Sequence, residues 1–218
     1  MKLLLFVCVC ALVAAEPQPG VPSTPQLAGV LTNLYRRFLH TVAPKQLELQ
    51  DALDIKWSDG FLAGPAFYSP INATFDGKER TAFSFISFLI NPGQAGHLGQ
   101  GSWVKNDVSE VVFMYHYGAA VKVHLISEDG SYRTEVMGNP LDHKGSQFLV
   151  YVPRATYSVF ESLSKDEATF HSYIDIPAWS REHHQEFSAE EMATTFPQHA
   201  QLFHHLAKPG HHGDTARR

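Results

Sequence analysis

Cysteine is nearly absent from this sequence, and its placement narrows the class of protein. The 218 residues include two cysteines, Cys8 and Cys10, and both lie in the apolar run from Leu3 to Ala15. This run is too short to span a bilayer and ends in small residues, which is typical of a secretory signal peptide. We predict cleavage after Ala15, so the secreted chain would have no disulfide and would depend on its hydrophobic core.

A strong charge, long basic runs and the familiar motifs of catalysis are also missing. The net charge is −5 and 18% of the residues are charged, which argues against nucleic-acid binding. Beyond the signal, no apolar segment is long enough to cross a membrane. The sequence has no nucleophile elbow, no phosphate-binding glycine loop and no zinc-protease helix motif. These absences exclude several common types of hydrolase and nucleotide-binding enzyme.

The chain divides into one domain with short segments at both ends. We assign residues 1–15 to the signal peptide, 16–26 to a proline-rich leader, 27–206 to the domain and 207–218 to a histidine-rich tail. Apolar residues recur at helical spacing over Leu27–Thr41, which predicts an amphipathic helix. The tail is interpreted as a disordered, solvated end, with metal binding as the alternative. Asn72 begins a glycosylation acceptor and predicts a surface loop of a secreted protein.

Short aromatic and β-branched segments follow one another between Ile55 and Ile176. Turn residues separate them, and Asp129-Gly130 predicts a hairpin with a type I′ turn. This pattern predicts about eight to ten antiparallel strands in a sandwich or barrel. The chain then returns to helix near Ser188–Leu206, where Pro197 interrupts the helix or opens a second one.

Four segments of the chain carry a resemblance to a known family. In chain order they are SDGFLAGPAFYSP, FSFISFLINPGQAGHLGQGSW, QFLVYVPRATYSVF and FSAEEMATTFPQHAQLFHHL. Together they resemble the cupin superfamily, in particular a cupin family catalogued as a domain of unknown function, over Leu47–Leu206. The resemblance implies a mainly β, antiparallel jelly-roll barrel with flanking N- and C-terminal helices. It also implies a homodimer.

The resemblance directs attention to the place where many cupins bind a metal. Such cupins carry a His-x-His pair before a strand, a glutamate a few residues later and a third histidine on a late strand, and these ligands suit a divalent metal. In this sequence Trp103 and Val104 fall at the pair, Glu110 matches the acidic position, and Tyr157 falls at the third histidine. We therefore expect no metal and no other cofactor.

The same positions are the candidates for a metal-free site. Glu110 lies beside an apolar run, and a carboxyl group in such surroundings is suited to acid–base catalysis. Phe67, Trp103 and Tyr157 would form a flat apolar wall for a sugar ring or an aromatic ligand, unless they simply fill the barrel. His116 or Tyr157 is the candidate catalytic partner of Glu110.

Two other histidine-bearing segments are interpreted as structural. His124 alternates with Val123 and Leu125, so it points to solvent if these two residues fill the core. The segment from Arg181 to Phe187 is interpreted as a polar connection before the last helix.

Three functions remain compatible with the sequence. The preferred one is a secreted protein that binds a small organic or sugar-like ligand in the barrel mouth without a metal. The second is a metal-free isomerase or epimerase that uses Glu110 with His116 or Tyr157. The third is a metal-dependent cupin enzyme with His97 and His116 among its ligands. The identity of the ligand does not follow from the sequence, because a fold alone does not imply a function.

Overall fold

The structure, a computed structural model, describes residues 44–58, 61–96 and 102–207. The predicted signal, leader, N-terminal helix and histidine-rich tail lie outside these ranges, as does His97. The chain divides into a unit of Met1–Asp51 with Arg218 and a unit of Ala52–Arg217. The described part of the first unit belongs to helix α1 (Pro44–Ala52). None of the helices in the described ranges combines the length and the apolar character needed to cross a membrane.

The second unit is built from short strands, and strands that pair are antiparallel throughout the described ranges. In chain order the strands are β1 (Lys56–Ser58), β2 (Phe61–Ala63), β3 (Phe67–Tyr68), β4 (Asn72–Phe75), β5 (Lys78–Thr81), β6 (Ser84–Ile90), β7 (Trp103–Asn106), β8 (Glu110–Gly118), β9 (Val121–Ile126), β10 (Tyr132–Met137), β11 (Leu149–Val152), β12 (Tyr157–Ser162), β13 (Thr169–Ile176) and β14 (His184–Phe187).

These strands form two large sheets and one hairpin. The larger sheet has the order β1-β2-β6-β13-β8-β11, with β3 also paired to β6, and the smaller has the order β10-β9-β12-β7-β14. Strands β4 and β5 pair only with each other among the described residues. A 3₁₀ turn (Arg181–His183) precedes β14, and helices α2 (Ala189–Thr195) and α3 (Ala200–Leu206) close the chain around a second 3₁₀ turn (Pro197–His199).

One hydrophobic core fills the space between the two large sheets. Its buried members come from strands of both sheets, and they are Ile90, Val111, Phe113, Val121, Val123, Leu125, Met137, Val150, Val152 and Phe160. A second core lies on the other side of the smaller sheet, where α2 and α3 cover it. Its members are Ala95, Trp103, Ile126, Tyr157, Val159, Ala189, Met192, Phe196, Phe203 and Leu206. The inner strands β9 and β12 of the smaller sheet are therefore mostly buried on both faces, whereas the edge strands β10 and β14 are largely exposed.

Alternation along β9 divides its residues between the two sides of this sheet. Val123 and Leu125 belong to the first core, and His124 between them faces the helix-covered side. The predicted direction of His124 is confirmed, but its predicted exposure to solvent is wrong, since 3% of the residue is accessible. The ring of Trp103 covers it at 6.4 Å between centroids, in an edge-to-face arrangement.

The two Asp-Gly turns lie between paired strands, but only one of them has the backbone angles of a type I′ turn. The predicted hairpin at Asp129-Gly130 is confirmed between β9 and β10. Its turn is not of type I′, because Gly130 has a positive φ of 82° and Asp129 does not. Asp76-Gly77, between β4 and β5, has positive φ at both residues, 48° and 74°, as a type I′ turn requires.

The predicted fold class is confirmed: the described domain is a mainly β, antiparallel jelly roll with helices at its C-terminal end. The strands are shorter and more numerous than predicted, because bends and turns divide the segments before Ser84. Of the two alternatives for Pro197, an interruption of the helix or the start of a second one, the structure shows the second, since a 3₁₀ turn begins at this residue. The segment Arg181–Phe187 is not merely a connection, since its last four residues form the edge strand β14.

Candidate functional site

Several strands begin or end at one edge of the jelly roll and bring polar side chains together there. Ser84 begins β6, Asn106 ends β7, and Asp175 lies one residue before the end of β13. His184 begins β14 and is the register partner of Asn106. Because neighbouring strands are antiparallel, these four positions meet at the same end of the two sheets.

A cavity of about 240 Å³ opens at this end of the barrel. Its walls are mostly apolar and include Ile86, Phe88, Val111 and Phe113. Its polar lining comes mainly from the strand ends just described, and it includes Ser84, Asn106, Ser158, Tyr173, Asp175, Arg181, His184 and Glu186. An apolar hollow with a few converging polar groups is the usual form of a small-molecule site.

The polar groups form one continuous chain of hydrogen bonds, which we call the Asp175 chain. Ser84 Oγ donates to Asp175 Oδ2 at 3.4 Å, and Asn106 Nδ2 donates to Asp175 Oδ1 at 3.5 Å. His184 Nδ1 lies 3.0 Å from Asn106 Oδ1 and ends the chain, and its Nε2 lies 3.5 Å from Glu186 Oε1, a contact that becomes an ion pair only when the ring is protonated. Since an amide oxygen can only accept, Nδ1 carries a proton, and neutral His184 has its lone pair on Nε2.

The surroundings reverse the usual order of acidity between Asp175 and His184. Burial raises the pKa of Asp175 from 3.8 to about 7, against the opposing effect of the Ser84 hydroxyl. Burial lowers the pKa of His184, with Glu186 opposing this shift and Arg181 adding to it. Near neutral pH the carboxyl group therefore holds a proton much of the time while the imidazole is uncharged. Such a pair supplies a general acid and a general base without a metal.

The connection after β13 contributes the remaining part of the cavity mouth. Trp179 donates its backbone N–H to Ser84 Oγ at 2.9 Å, which ties this connection to the start of β6. The Trp179 ring lies 5.8 Å from the His184 ring between centroids. Trp179 and Arg181 both line the cavity, so an aromatic ring and a cation stand beside the Asp175 chain.

Comparison with known proteins identifies the family. The model of the cupin superfamily designated DUF985 matches residues 40–187, which is more than half of the 218-residue chain. The chain belongs to this cupin family. Among curated proteins, none is significantly similar to this cupin.

Two solved structures share the fold of this cupin. A protein from Shewanella oneidensis is 20% identical to this cupin with a TM-score of 0.62, and the match covers 74% of this chain and 96% of that one. A hypothetical protein from Leishmania major is 18% identical with a TM-score of 0.63, over 74% and 97% of the respective chains. At these identities the likeness shows the fold alone.

Two aromatic residues predicted to line the ligand site lie in the second core. Trp103 is fully buried against Phe203, with 5.3 Å between ring centroids, and Tyr157 packs on Phe196 at 5.2 Å. Their strand neighbours Val104 and Ser158 line the cavity instead. A shift of one residue along a strand moves a side chain to the opposite face, which accounts for the difference.

The structure does not bring the other predicted residues into the cavity. Glu110 is exposed at the start of β8, and the next residue, Val111, lines the cavity. Phe67 is 50% exposed and lies against Phe83. His116 Nε2 lies 2.6 Å from Ser172 Oγ, and Ser172 alternates with residues that face the barrel interior. Burial lowers the pKa of His116.

The residues of the cavity do not fit the metal site of other cupins. On strands β7 and β12, where the resemblance places histidine ligands, the side chains that line the cavity are those of Val104, Asn106 and Ser158. Across the described ranges, no group of three or more histidine, cysteine, aspartate or glutamate residues is arranged to hold a metal ion. The carboxyl group of Asp175 is already engaged by two hydrogen bonds.

Sequence reasoning missed Asp175, Asn106 and His184, although a signal for Asp175 was present. In the segment TFHSYIDI, the residues His171, Tyr173 and Asp175 alternate, so a strand places all three on one face. Three polar residues on the inner face of a barrel strand are unusual and mark a site. His184 gave no comparable signal, because its edge strand was not recognised.

The inner face of β13 also holds a histidine that has no apparent structural use. His171 is 1% exposed, and neither ring nitrogen has a hydrogen-bond partner among the described residues. Burial lowers its pKa from 6.5 to about 3, and nearby His116 adds to this shift. A contact with the Thr169 backbone opposes it, but this contact falls short of hydrogen-bond geometry. An unsatisfied buried polar group costs roughly 1–3 kcal/mol, so its presence calls for an explanation.

Proposed function

We propose that this cupin binds a small, sugar-like organic molecule in the cavity without a metal. The observation that carries the proposal is the Asp175 chain at the mouth of an aromatic and aliphatic hollow. The polar chain offers donors and acceptors in fixed positions, which suits hydroxyl groups. Phe88, Phe113 and Trp179 offer flat apolar surface, which suits the face of a ring.

The size of the cavity limits what it encloses. Its volume of about 240 Å³ lies below the range of roughly 300–1,000 Å³ typical of drug-sized ligands. Since one water occupies about 30 Å³ in the liquid, the space corresponds to about eight waters. A single sugar ring fits this space, whereas a larger conjugate extends out past Trp179.

Binding of free sugars tests the proposal. Saturation-transfer NMR with D-glucose, D-galactose and L-rhamnose measures binding to the purified protein without a histidine tag. We expect at least one sugar to bind, and Asp175→Asn to weaken it by about tenfold, because the amide NH₂ group would face Ser84 or Asn106, which both donate to the carboxyl group. Glu110→Gln, outside the cavity, is the matched control and leaves the affinity unchanged. Failure of all three sugars to bind contradicts the proposal.

A second candidate function is acid–base catalysis of an isomerase or epimerase type. The inverted acidity of Asp175 and His184 supports it, because one group then gives a proton where the other takes one. His184 would remove a proton from a carbon beside a carbonyl group, and Asp175 would deliver one to the resulting enolate. Incorporation of deuterium from D₂O into a bound ketose or aldose tests this reaction. His184→Gln should abolish the exchange while sugar binding persists.

The proposal also includes export and self-association. We propose that the chain is secreted after removal of residues 1–15 and carries a glycan on Asn72, which is exposed on β4.

We also propose a homodimer, supported by the exposed apolar edge strand β11, where Leu149 and Tyr151 are 54% and 46% accessible. A mass of one chain in solution, measured by light scattering at micromolar concentration, contradicts the dimer.

A further inference from the structure

The inner face of β13 carries a row of polar side chains where a barrel normally buries apolar ones. His171, Tyr173 and Asp175 alternate along the strand and point to the same side. Asp175 lies at the cavity mouth, and Tyr173 lines the cavity with its ring 4.4 Å from that of Phe113. His171 lies deepest, against Phe160 of the first core. The row therefore runs from the mouth into the barrel.

The wall between His171 and the cavity is formed by two aromatic rings. The ring of Phe88 stacks on His171 at 5.7 Å between centroids, and the ring of Tyr173 lies 4.9 Å from it. Phe88 and Tyr173 also contact each other at 4.6 Å, and both line the cavity. A ligand in the cavity is thus separated from the imidazole by side chains and not by backbone.

A trapped water is a poor explanation for the unsatisfied imidazole. A buried water normally makes two to four hydrogen bonds to polar groups. The described rings around His171 belong to Phe88, Phe160 and Tyr173. The Thr169 backbone makes only a weak contact with the ring, which leaves both nitrogens short of a full hydrogen bond. A ligand group needs fewer partners at this point, because the rest of the ligand holds it in place.

We propose that His171 is the inner hydrogen-bonding contact of the same ligand site, and that it binds an uncharged hydroxyl group after the Phe88 and Tyr173 side chains shift apart. This inference rests on the proposed function and extends it. The ligand would be a ring with hydroxyl groups at two opposite ends, one at Asp175 and the other at His171. Four residues of strand advance about 13 Å, so a two- or three-carbon acid is too short to reach both.

The chemistry of the inner position favours a hydroxyl group over an anion. A neutral imidazole has one donor and one acceptor, and a hydroxyl group can satisfy either. The low pKa of His171 agrees with this, because the ring stays uncharged in the pH range of cells and body fluids. An uncharged ring in aromatic surroundings offers nothing to offset the burial of a carboxylate or phosphate.

Substitution of His171 separates this role from a structural one. His171→Leu removes both ring nitrogens at similar volume, and His171→Gln keeps one donor and one acceptor. His116→Leu, on the outer side of the same sheet, is the matched control. Affinities for the sugar that binds best among D-glucose, D-galactose and L-rhamnose, and for its monodeoxy analogues, are measured by NMR titration, and melting temperatures by calorimetry.

We expect His171→Leu to weaken sugar binding at least tenfold without lowering the melting temperature, since it removes an unsatisfied group. His171→Gln should stay within a few-fold of wild type, and His116→Leu should bind normally. One monodeoxy analogue should bind wild type and His171→Leu equally, because it lacks the hydroxyl group that meets the ring. Equal affinity of wild type and His171→Leu for the parent sugar overturns this inference but leaves the proposed function intact.

Two other outcomes would overturn the inference about His171. A His171→Leu protein that unfolds or melts well below wild type overturns the inference, because the ring would then have a structural partner such as a fixed water. Absence of binding by every sugar to wild type overturns the proposed function, and this inference falls with it.

Discussion

Two histidines, His124 and His171, are buried in adjoining layers of this cupin and have opposite surroundings. His124, on the helix-covered side of the smaller sheet, is 3% exposed, with Nδ1 2.8 Å from the Tyr132 hydroxyl and Nε2 3.2 Å from Glu161 Oε2. His171, on the cavity side of the larger sheet, is 1% exposed and has no hydrogen-bond partner among the described residues.

The difference shows how the two layers are used. In the helix-covered layer His124 is satisfied, although the Trp103 indole nitrogen has no hydrogen-bond partner among the described residues, and α2 and α3 close the space above the sheet. In the cavity layer the polar groups at the mouth form a chain, while the deepest one is left without a partner. A satisfied buried polar group is explained by the fold itself, whereas an unsatisfied one calls for an explanation, and His171 differs from the Trp103 indole in lying against a ring that lines the cavity. We therefore expect substitutions in the first layer to change stability and those in the second to change binding.

The largest expected loss of stability comes from removing a large buried side chain from the helix-covered layer. Trp103→Ala removes a fully buried indole that packs on Phe203 and His124. We expect a loss of about 3–5 kcal/mol in the free energy of unfolding, as for other buried tryptophans. Urea unfolding at pH 7 measures it, with Phe67→Ala, at a half-exposed position, as a control expected below about 1 kcal/mol. Equal losses in the free energy of unfolding for Trp103→Ala and Phe67→Ala would show that the helix-covered layer contributes little to stability.

The pH dependence of stability sharpens the comparison within the cavity layer, because Asp175 and His171 act in opposite directions. Asp175 has its pKa raised from 3.8 to about 7, so the folded state holds its proton over that window and stability falls as pH rises. His171 has its pKa lowered from 6.5 to about 3, so the unfolded state holds more protons over that window and stability rises with pH. Between about pH 4 and 6.5 the two contributions oppose each other.

Single substitutions should separate these contributions. Relative to wild type, Asp175→Asn should make the free energy of unfolding rise more steeply with pH, and His171→Leu should make it fall more steeply. Each slope should change by about 1.4 kcal/mol per pH unit at most. Urea unfolding at pH 4.5, 5.5 and 6.5 provides the slopes, and the remaining titrating groups cancel in the comparison. Profiles that run parallel in all three proteins contradict both assignments.

A smaller effect distinguishes the two histidines directly. His124→Leu removes the partner of the Tyr132 hydroxyl and of Glu161, so we expect a loss of about 1–3 kcal/mol. His171→Leu removes a group without a partner and should cost nothing or stabilise the protein. The melting temperatures of the two variants, measured side by side at pH 7, should therefore fall on opposite sides of wild type or nearly so. The reverse order contradicts the distinction between the layers.

Much of the fold follows from the sequence because it depends on local patterns. The β-branched and aromatic segments, the turn at Asp129-Gly130 and the capping box that Ser188 forms with Glu191 each specify structure over a few residues. The segment after Pro177 escaped prediction because an edge strand of four residues carries little periodic signal. Its pairing with β7 joins residues about eighty positions apart.

The candidate site was predicted less accurately from the sequence than the fold, because it depends on which face of a strand each residue occupies. Trp103 and Tyr157 were expected in the cavity and lie one residue out of phase with Val104 and Ser158, which face it. The polar row on β13 was visible in the alternation, but its meaning needed Ser84 and Asn106 from distant strands. Sequence patterns locate strands more reliably than they fix the register between them.

The smallest effect is expected at a position that belongs to neither layer. Asn72 and Thr74 are exposed on β4, a strand and not the predicted loop, and Asn72 Nδ2 donates to Glu79 Oε1 at 3.1 Å. If the chain is exported, expression in secreting animal cells should yield a glycan here. Asn72→Gln and Thr74→Ala should both remove its mass, and Thr74→Ser, which preserves the acceptor, should not. None of the three should change the free energy of unfolding or of sugar binding by more than about 0.5 kcal/mol, because the side chains lie outside both cores and the cavity. Mass spectrometry of the secreted protein also gives its N-terminus, and an unglycosylated chain that begins at Met1 contradicts the predicted export.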